Sequence, residues 1–140
     1  MLIKRIDHVV ITVQDVEKTL AFYVDGLGMT LIDQNNRLAL GFGEQKINIH
    51  RQKAEFTPAA KQVTYGSMDI CFMAQGDINE IKAELERRGL TIELGVVPRT
   101  GACGPIDSIY LRDPDGNLVE ISVYKNNLAP LTIDAVEAFG

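Results

Sequence analysis

One order of elements, strand, helix and three strands, is legible twice in these 140 residues, and this repeat constrains the fold more than any other feature. Residues 6–13 alternate as a strand, with Val9, Ile11 and Val13 on one face and His8, Val10 and Thr12 on the other. Asp15 caps a helix whose predicted apolar stripe is Val16, Leu20, Tyr23 and Leu27, and Gly26 and Gly28 end it. Strands are expected at 29–33, 37–42 and 46–51, the first two joined by an Asn35-Asn36 turn. Residues 52–66 carry Pro58 and no usable period, and read as a linker. The order then restarts. A strand over 68–74 leads to a helix capped by Asp77, with Ile78, Ile81 and Leu85 as its stripe and Arg88-Gly89 at its end. A short strand at 91–94, a Gly-rich loop over 95–105 and a strand over 106–112 follow, and the Asp113-Pro114-Asp115-Gly116-Asn117 turn delivers the last strand, 118–124.

Laying Gly28–Leu31 over Gly89–Ile92 gives a shift of 61 residues, which sets His8 on Asp69. The last strands match at a shift of about 70 to 72, which sets Asn48 or His50 against Glu120. One such unit covers one sheet face with its own helix and leaves the other bare. The expected architecture is therefore α+β: paired βαβββ modules, their bare faces together, forming a curved mixed sheet around a central cleft. The modules are 1–51 and 67–124, with 52–66 as linker and 125–140 as a tail able to form a short helix.

The parity of the strands separates core from site. Val9, Ile11, Ile47, Ile49, Ile70, Phe72, Val119 and Ile121 take the covered face, while His8, Asn48, His50, Asp69 and Glu120 take the other. A mid-strand carboxylate such as Glu120 must reach solvent or find a cation. Imidazole with carboxylate and no thiolate is a ligand set for one divalent metal of the Zn, Ni, Mn or Fe(II) type, with positions left open for substrate. His8 and Glu120 are the expected ligands, joined by His50, Asp69 or both. Arg99, in the Gly-rich loop, is either solvated or grips an anionic substrate with its planar fork. Tyr110 shares a strand face with Ser108 and Arg112, and either lines the pocket or is tethered by a hydrogen bond. Cys71 lies on the face of Asp69 without a pattern that activates a thiol, so it reads as packing.

A net charge of −5 without a Lys/Arg run argues against nucleic acid and anionic membrane partners. No apolar stretch is long enough to span a bilayer. Two cysteines make no disulfide framework, and a cytoplasmic setting is expected. Apolar residues after Tyr124, Leu128, Leu131, Ile133, Val136 and Phe139, point to a homodimer contact.

Three segments carry a family resemblance: Ile6-Asp7-His8-Val9-Val10-Ile11-Thr12-Val13, Phe22-Tyr23 with Leu27-Gly28-Met29, and Asp113-Pro114-Asp115-Gly116-Asn117-Leu118-Val119-Glu120. Over residues 3–124 the chain resembles the vicinal oxygen chelate superfamily, which includes glyoxalase I, fosfomycin-resistance proteins, extradiol dioxygenases, methylmalonyl-CoA epimerase and bleomycin-resistance proteins. Lys46-Ile47-Asn48-Ile49-His50 and Arg99-Thr100-Gly101-Ala102 are similar to the glyoxalase-domain-containing-5 group and to glyoxalase-like virulence proteins of enteric bacteria. The resemblance implies metal ligands at His8 and Glu120. The family's second His falls at Asp69, and the first-repeat Glu of glyoxalase I falls near Asn48, with His50 one pleat away. The implied function is a metal-dependent, glyoxalase-like lyase or isomerase acting on a small oxygen-rich substrate chelated through vicinal oxygens. Glu120 would be catalytic, and Arg99 and Tyr110 would bind substrate. The departures at Asp69 and Asn48 keep two alternatives, an extradiol-type ring-cleaving dioxygenase and a non-catalytic small-molecule binder of the bleomycin-resistance kind.

Overall fold

The alternation of the first strands closes a four-stranded mixed sheet in the order β1-β4-β3-β2, from β1 (His8–Thr12), β2 (Thr30–Gln34), β3 (Arg37–Phe42) and β4 (Gln45–His50). These come from a computed structural model that describes residues 1–125. β1 runs parallel to β4, while β2, β3 and β4 form an antiparallel meander. Asn35 and Asn36, at φ 53° and 64°, take the left-handed conformation that a two-residue hairpin turn needs. One face of the sheet is buried through Ile11, Val13, Leu40, Ile47 and Ile49.

Asp15 caps α1 (Val16–Leu20) by accepting from the Lys18 N–H at 3.1 Å. The chain then widens into a π-helical stretch, Ala21–Gly26, and the Leu27 N–H bonds to the Phe22 carbonyl at 3.0 Å. The wider turn shifts the buried stripe from its expected positions. Thr19, Phe22, Tyr23 and Gly26 are buried, while Val16, Leu20 and Leu27 are only partly covered.

The Asp113–Asn117 turn belongs by its contacts to this first unit, residues 1–68 and 113–117. Asp113 is 4% exposed and accepts from four donors: the Tyr23 hydroxyl (2.7 Å), the amides of Asp115 (2.9 Å) and Asn117 (2.9 Å), and the Asn117 side chain (2.7 Å). Burial first, and then the adjacent Asp113 charge, hold the Tyr23 phenol far above its ordinary pKa, so it remains a donor. The Asn117 amide oxygen accepts from the Met68 N–H at 2.8 Å, and Asp115 accepts from the backbone of Gln14 at 3.1 Å. Gly66 is required here: it has φ +72°, and a Cβ would lie 2.4 Å from the Asp115 carbonyl oxygen.

The second unit repeats the order. β5 (Asp69–Met73), α2 (Ile78–Arg87), β6 (Leu94–Gly101), β7 (Gly104–Arg112) and β8 (Leu118–Tyr124) build a sheet in the order β5-β8-β7-β6, with β5 parallel to β8. Asp77 caps α2 by accepting from the amides of Asn79 and Glu80. Ile78 and Leu85 are buried, as are Ile109, Leu111, Val119, Ile121 and Val123 on one face of the sheet. The expected loop over 95–105 is instead mostly strand β6, which pairs antiparallel with β7 through an irregularity between Gly95 and Val97. Its glycines and Pro98 suit this position because β6 is a sheet edge. At Gly95 a Cβ would meet the Ser108 carbonyl oxygen at 2.6 Å, so the close approach of β6 to β7 requires glycine.

The fold is thus a pair of βαβββ modules, each with a four-stranded mixed sheet in the same strand order. The registers also decide the repeat equivalence. Val10 pairs with Asn48, and its counterpart Cys71 pairs with Glu120, so Asn48 rather than His50 corresponds to Glu120. No helix among the described residues is long and apolar enough to cross a membrane. The expected tail helix and its apolar contact residues lie outside the described residues.

Candidate functional site

In the first unit, His8 opens β1 with its side chain 45% exposed, and its Nδ1 lies 2.8 Å from Asp7 Oδ2. The hydrogen bond from His8 is the main cause that holds the Asp7 carboxyl below the usual range, helped by the charges of His8, Arg5 and Lys46. An ionised carboxylate only accepts, so Nδ1 carries the proton and a neutral ring keeps its Nε2 lone pair for a ligand. His50 ends β4 on the same face, its ring 5.3 Å from that of Phe56 in an edge contact. His8 pairs with Lys46 and Thr12 with His50, so the two imidazoles stand at opposite ends of the β1–β4 pair. Four residues of strand separate them, roughly 13 Å along the chain. The first unit does not bring them together.

The second unit does gather its candidates. Glu120 stands opposite Tyr110 across β7 and β8 and beside Cys71 on β5. The buried Ser108 hydroxyl donates to Glu120 Oε2 at 2.6 Å and lies 2.6 Å from the equally buried Ser122 hydroxyl, which is 3.2 Å from the same carboxylate oxygen. Cys71 Sγ is 3.3 Å from the Ser122 oxygen. Both serine hydroxyls reach Glu120 Oε2 as donors, and either partner can donate in the Ser108–Ser122 and Cys71–Ser122 contacts, so the four side chains form one hydrogen-bonded chain. Burial, and then the nearby carboxylates Glu120 and Asp69, outweigh the Ser122 bond and push the Cys71 thiol up, keeping it a donor. The chain ends on Oε2 of Glu120 and leaves Oε1 for another partner.

Tyr110 accepts from Arg99 Nε at 2.9 Å, and Arg99 also donates to the Pro98 carbonyl at 2.9 Å. Arg99 therefore projects from strand β6 rather than from a loop. Asp69 is exposed and lies two residues from Cys71 along β5, roughly 6.5 Å. Among the described residues, no three His, Cys, Asp or Glu side chains converge as a metal centre.

The sequence reading placed Ser108 on the face of Tyr110 but gave it no role, and it did not single out Ser122. The available signal was parity: Ser122 is two residues from Glu120 in β8, and Ser108 pairs with Ser122 in β7.

Comparison with known proteins places this geometry in a family. The family model described as "Glyoxalase/Bleomycin resistance protein/Dioxygenase superfamily" matches residues 5–121. Virulence protein STM3117 of Salmonella typhimurium is 51% identical over 125 residues, covering 89% of this chain and 87% of the relative. Its crystal structure superimposes with a TM-score of 0.85, covering 89% of this chain and 99% of that one. The glyoxalase domain-containing protein RDO1 of Mycosarcoma maydis is 45% identical, covering 89% of this chain and 70% of the relative. A lactoylglutathione lyase structure from Agrobacterium tumefaciens, 23% identical with a TM-score of 0.67 over 87% of this chain and 95% of that one, shares the fold. The chain belongs to the glyoxalase/bleomycin resistance protein/dioxygenase superfamily, also called the vicinal oxygen chelate superfamily.

Proposed function

We propose that this protein is a metal-dependent, glyoxalase-like lyase or isomerase acting on a small substrate with vicinal oxygens. The observation that carries the reading is Glu120, a mid-strand carboxylate tethered by Ser108 through one oxygen, with Tyr110 and Arg99 on the same sheet face. The donor chemistry fits a divalent ion. His8 keeps Nε2 free because Nδ1 is bonded to Asp7, the outer-sphere arrangement that orients metal-binding imidazoles, and Glu120 keeps Oε1 free. His8 and Glu120 would hold the ion, with His50, Asp69 or both completing the set. When bound, the ion would supply Lewis-acid stabilisation of negative charge on substrate oxygen. Glu120 Oε1 is also the group suited to move a proton, while Arg99 and Tyr110 bind substrate oxygens.

The modules 1–51 and 67–124 would act as one domain within a homodimer. Val10, Met73 and Leu94 leave apolar surface on the open sheet faces, at 49%, 46% and 48% exposure, which a second copy would cover. Light scattering at micromolar concentration is expected to give twice 15.5 kDa; a 15.5 kDa particle contradicts the dimer. No disulfide joins Cys71 to Cys103, which suits a reducing cytoplasm.

Ser108→Ala is expected to weaken divalent-metal affinity about tenfold by untethering Glu120, and Ser108→Thr to retain it, both read by metal titration. The activity test is turnover by protein loaded in turn with Zn, Ni, Mn and Fe(II), using 2-oxoaldehyde–thiol adducts and catechols with product identification. Isomerised thioester supports the proposal. Ring-opened product assigns the dioxygenase reaction instead, and no turnover with any metal contradicts both.

A further inference from the structure

The open face of the first sheet carries cations that the metal reading does not use. Arg37, Lys46, Gln34, Asn48, His50 and Phe56 line a cavity of about 220 Å³ there, and no Asp or Glu lines it. This is a local reversal of charge in a chain of net −5. The wall is built by the segment after β4. Arg51 grips Glu55 through Nε at 2.9 Å and through its terminal nitrogen at 2.8 Å, and donates to the Asn36 carbonyl at 3.1 Å. This fold-back sets Phe56 between His50 and Arg37, with the guanidinium carbon 4.0 Å over its ring. The Glu55 carboxylate is occupied by Arg51, and Asp33 has the opposite parity on β2 to Ile32 and Gln34, which line the cavity. Neither Arg37 nor Lys46 forms an ion pair within the described residues. Two cations without an ion-pair partner among the described residues, Lys46 with its charge also felt by Asp7, and amide donors between them around the cavity suit a small anion.

We propose that this cavity binds the anionic end of a short organic acid, through a carboxylate or phosphate held by Arg37 and Lys46. As a substrate class, this rests on the function proposed above; as an anion site, it stands on the cavity alone. The test uses protein stripped of metal on an ion-exchange resin and titrated by NMR with glycolate, phosphoglycolate and the uncharged glycolamide. Saturable shifts at Lys46 and Asn48 are expected with the two anions, weakening as salt is raised, and none with glycolamide. The stronger of the two anions identifies the head group. Lys46→Met should weaken binding at least about tenfold, and it breaks no hydrogen bond that holds the fold. Arg37→Met should do likewise and Arg37→Lys less, whereas Lys82→Met, on α2, should change nothing. Glu120→Gln should leave this metal-free anion binding intact while lowering metal uptake, so the two ideas fail separately. No saturable binding by either anion, equal affinity in Lys46→Met and wild type, or binding of glycolamide as tight as that of glycolate overturns the proposal.

Discussion

Glu120→Gln is expected to lower divalent-metal affinity about a hundredfold while shifting the unfolding midpoint little. The amide nearly keeps the volume, and its carbonyl oxygen can still accept from Ser108, which now stands 2.6 Å from Oε2. What is lost is the negative charge on the oxygen that Ser108 and Ser122 leave free. A ligating carboxylate contributes more than an outer-sphere partner, and losing one of those already costs ten- to a hundredfold. His8→Ala should act in the same direction, because Nε2 is the lone pair that the Asp7 bond presents. Calorimetric titration of both variants with Zn and Mn, beside thermal unfolding of the same samples, separates loss of a ligand from loss of the fold. Wild-type affinity in both variants contradicts the assignment.

Asp113→Ala is expected to destabilise the protein by about 4 kcal/mol, the largest stability effect of any single change proposed. Its carboxylate accepts four hydrogen bonds at 2.7–2.9 Å while 4% exposed. Hydrogen bonds to a charged group contribute roughly 1.5–3 kcal/mol each and do not add fully. Removal also strands the Tyr23 hydroxyl, which belongs to a residue of 0% exposure. Tyr23→Phe removes one of the four donors and should cost about 2 kcal/mol. Urea unfolding measures both, and a loss under about 1 kcal/mol for Asp113→Ala would show that the turn is held by its backbone bonds alone.

The repeat was legible because each element announced itself by short-range chemistry. Asp15 and Asp77 cap the helices as read, Asn35-Asn36 makes the first hairpin turn, and strand parity separates Ile47 and Ile49 from Asn48 and His50. The π-helical stretch was not legible, because its shifted stripe depends on the bond from Leu27 to Phe22 rather than on residue spacing. β6 read as a loop because Gly95, Pro98 and Gly101 are turn residues by composition, and only pairing with β7 extends them. For the site, the individual residues were visible and their company was not. Arg99 was singled out, but its bond to Tyr110 needs β6 to be a strand. The Arg37–Lys46 cavity needs Phe56 folded back by Arg51 and Glu55, inside a segment without periodicity.

Metal content decides whether His8 and Glu120 hold a divalent ion. Protein purified without chelator and exchanged into metal-free buffer should carry about one ion of Zn, Ni, Mn or Fe per chain by plasma mass spectrometry, and the His8→Ala, Glu120→Gln double variant should carry none. A wild type that takes up no ion from any of these four, or a double variant that retains a full complement, contradicts that assignment; the first result leaves a small-molecule binding protein without catalysis.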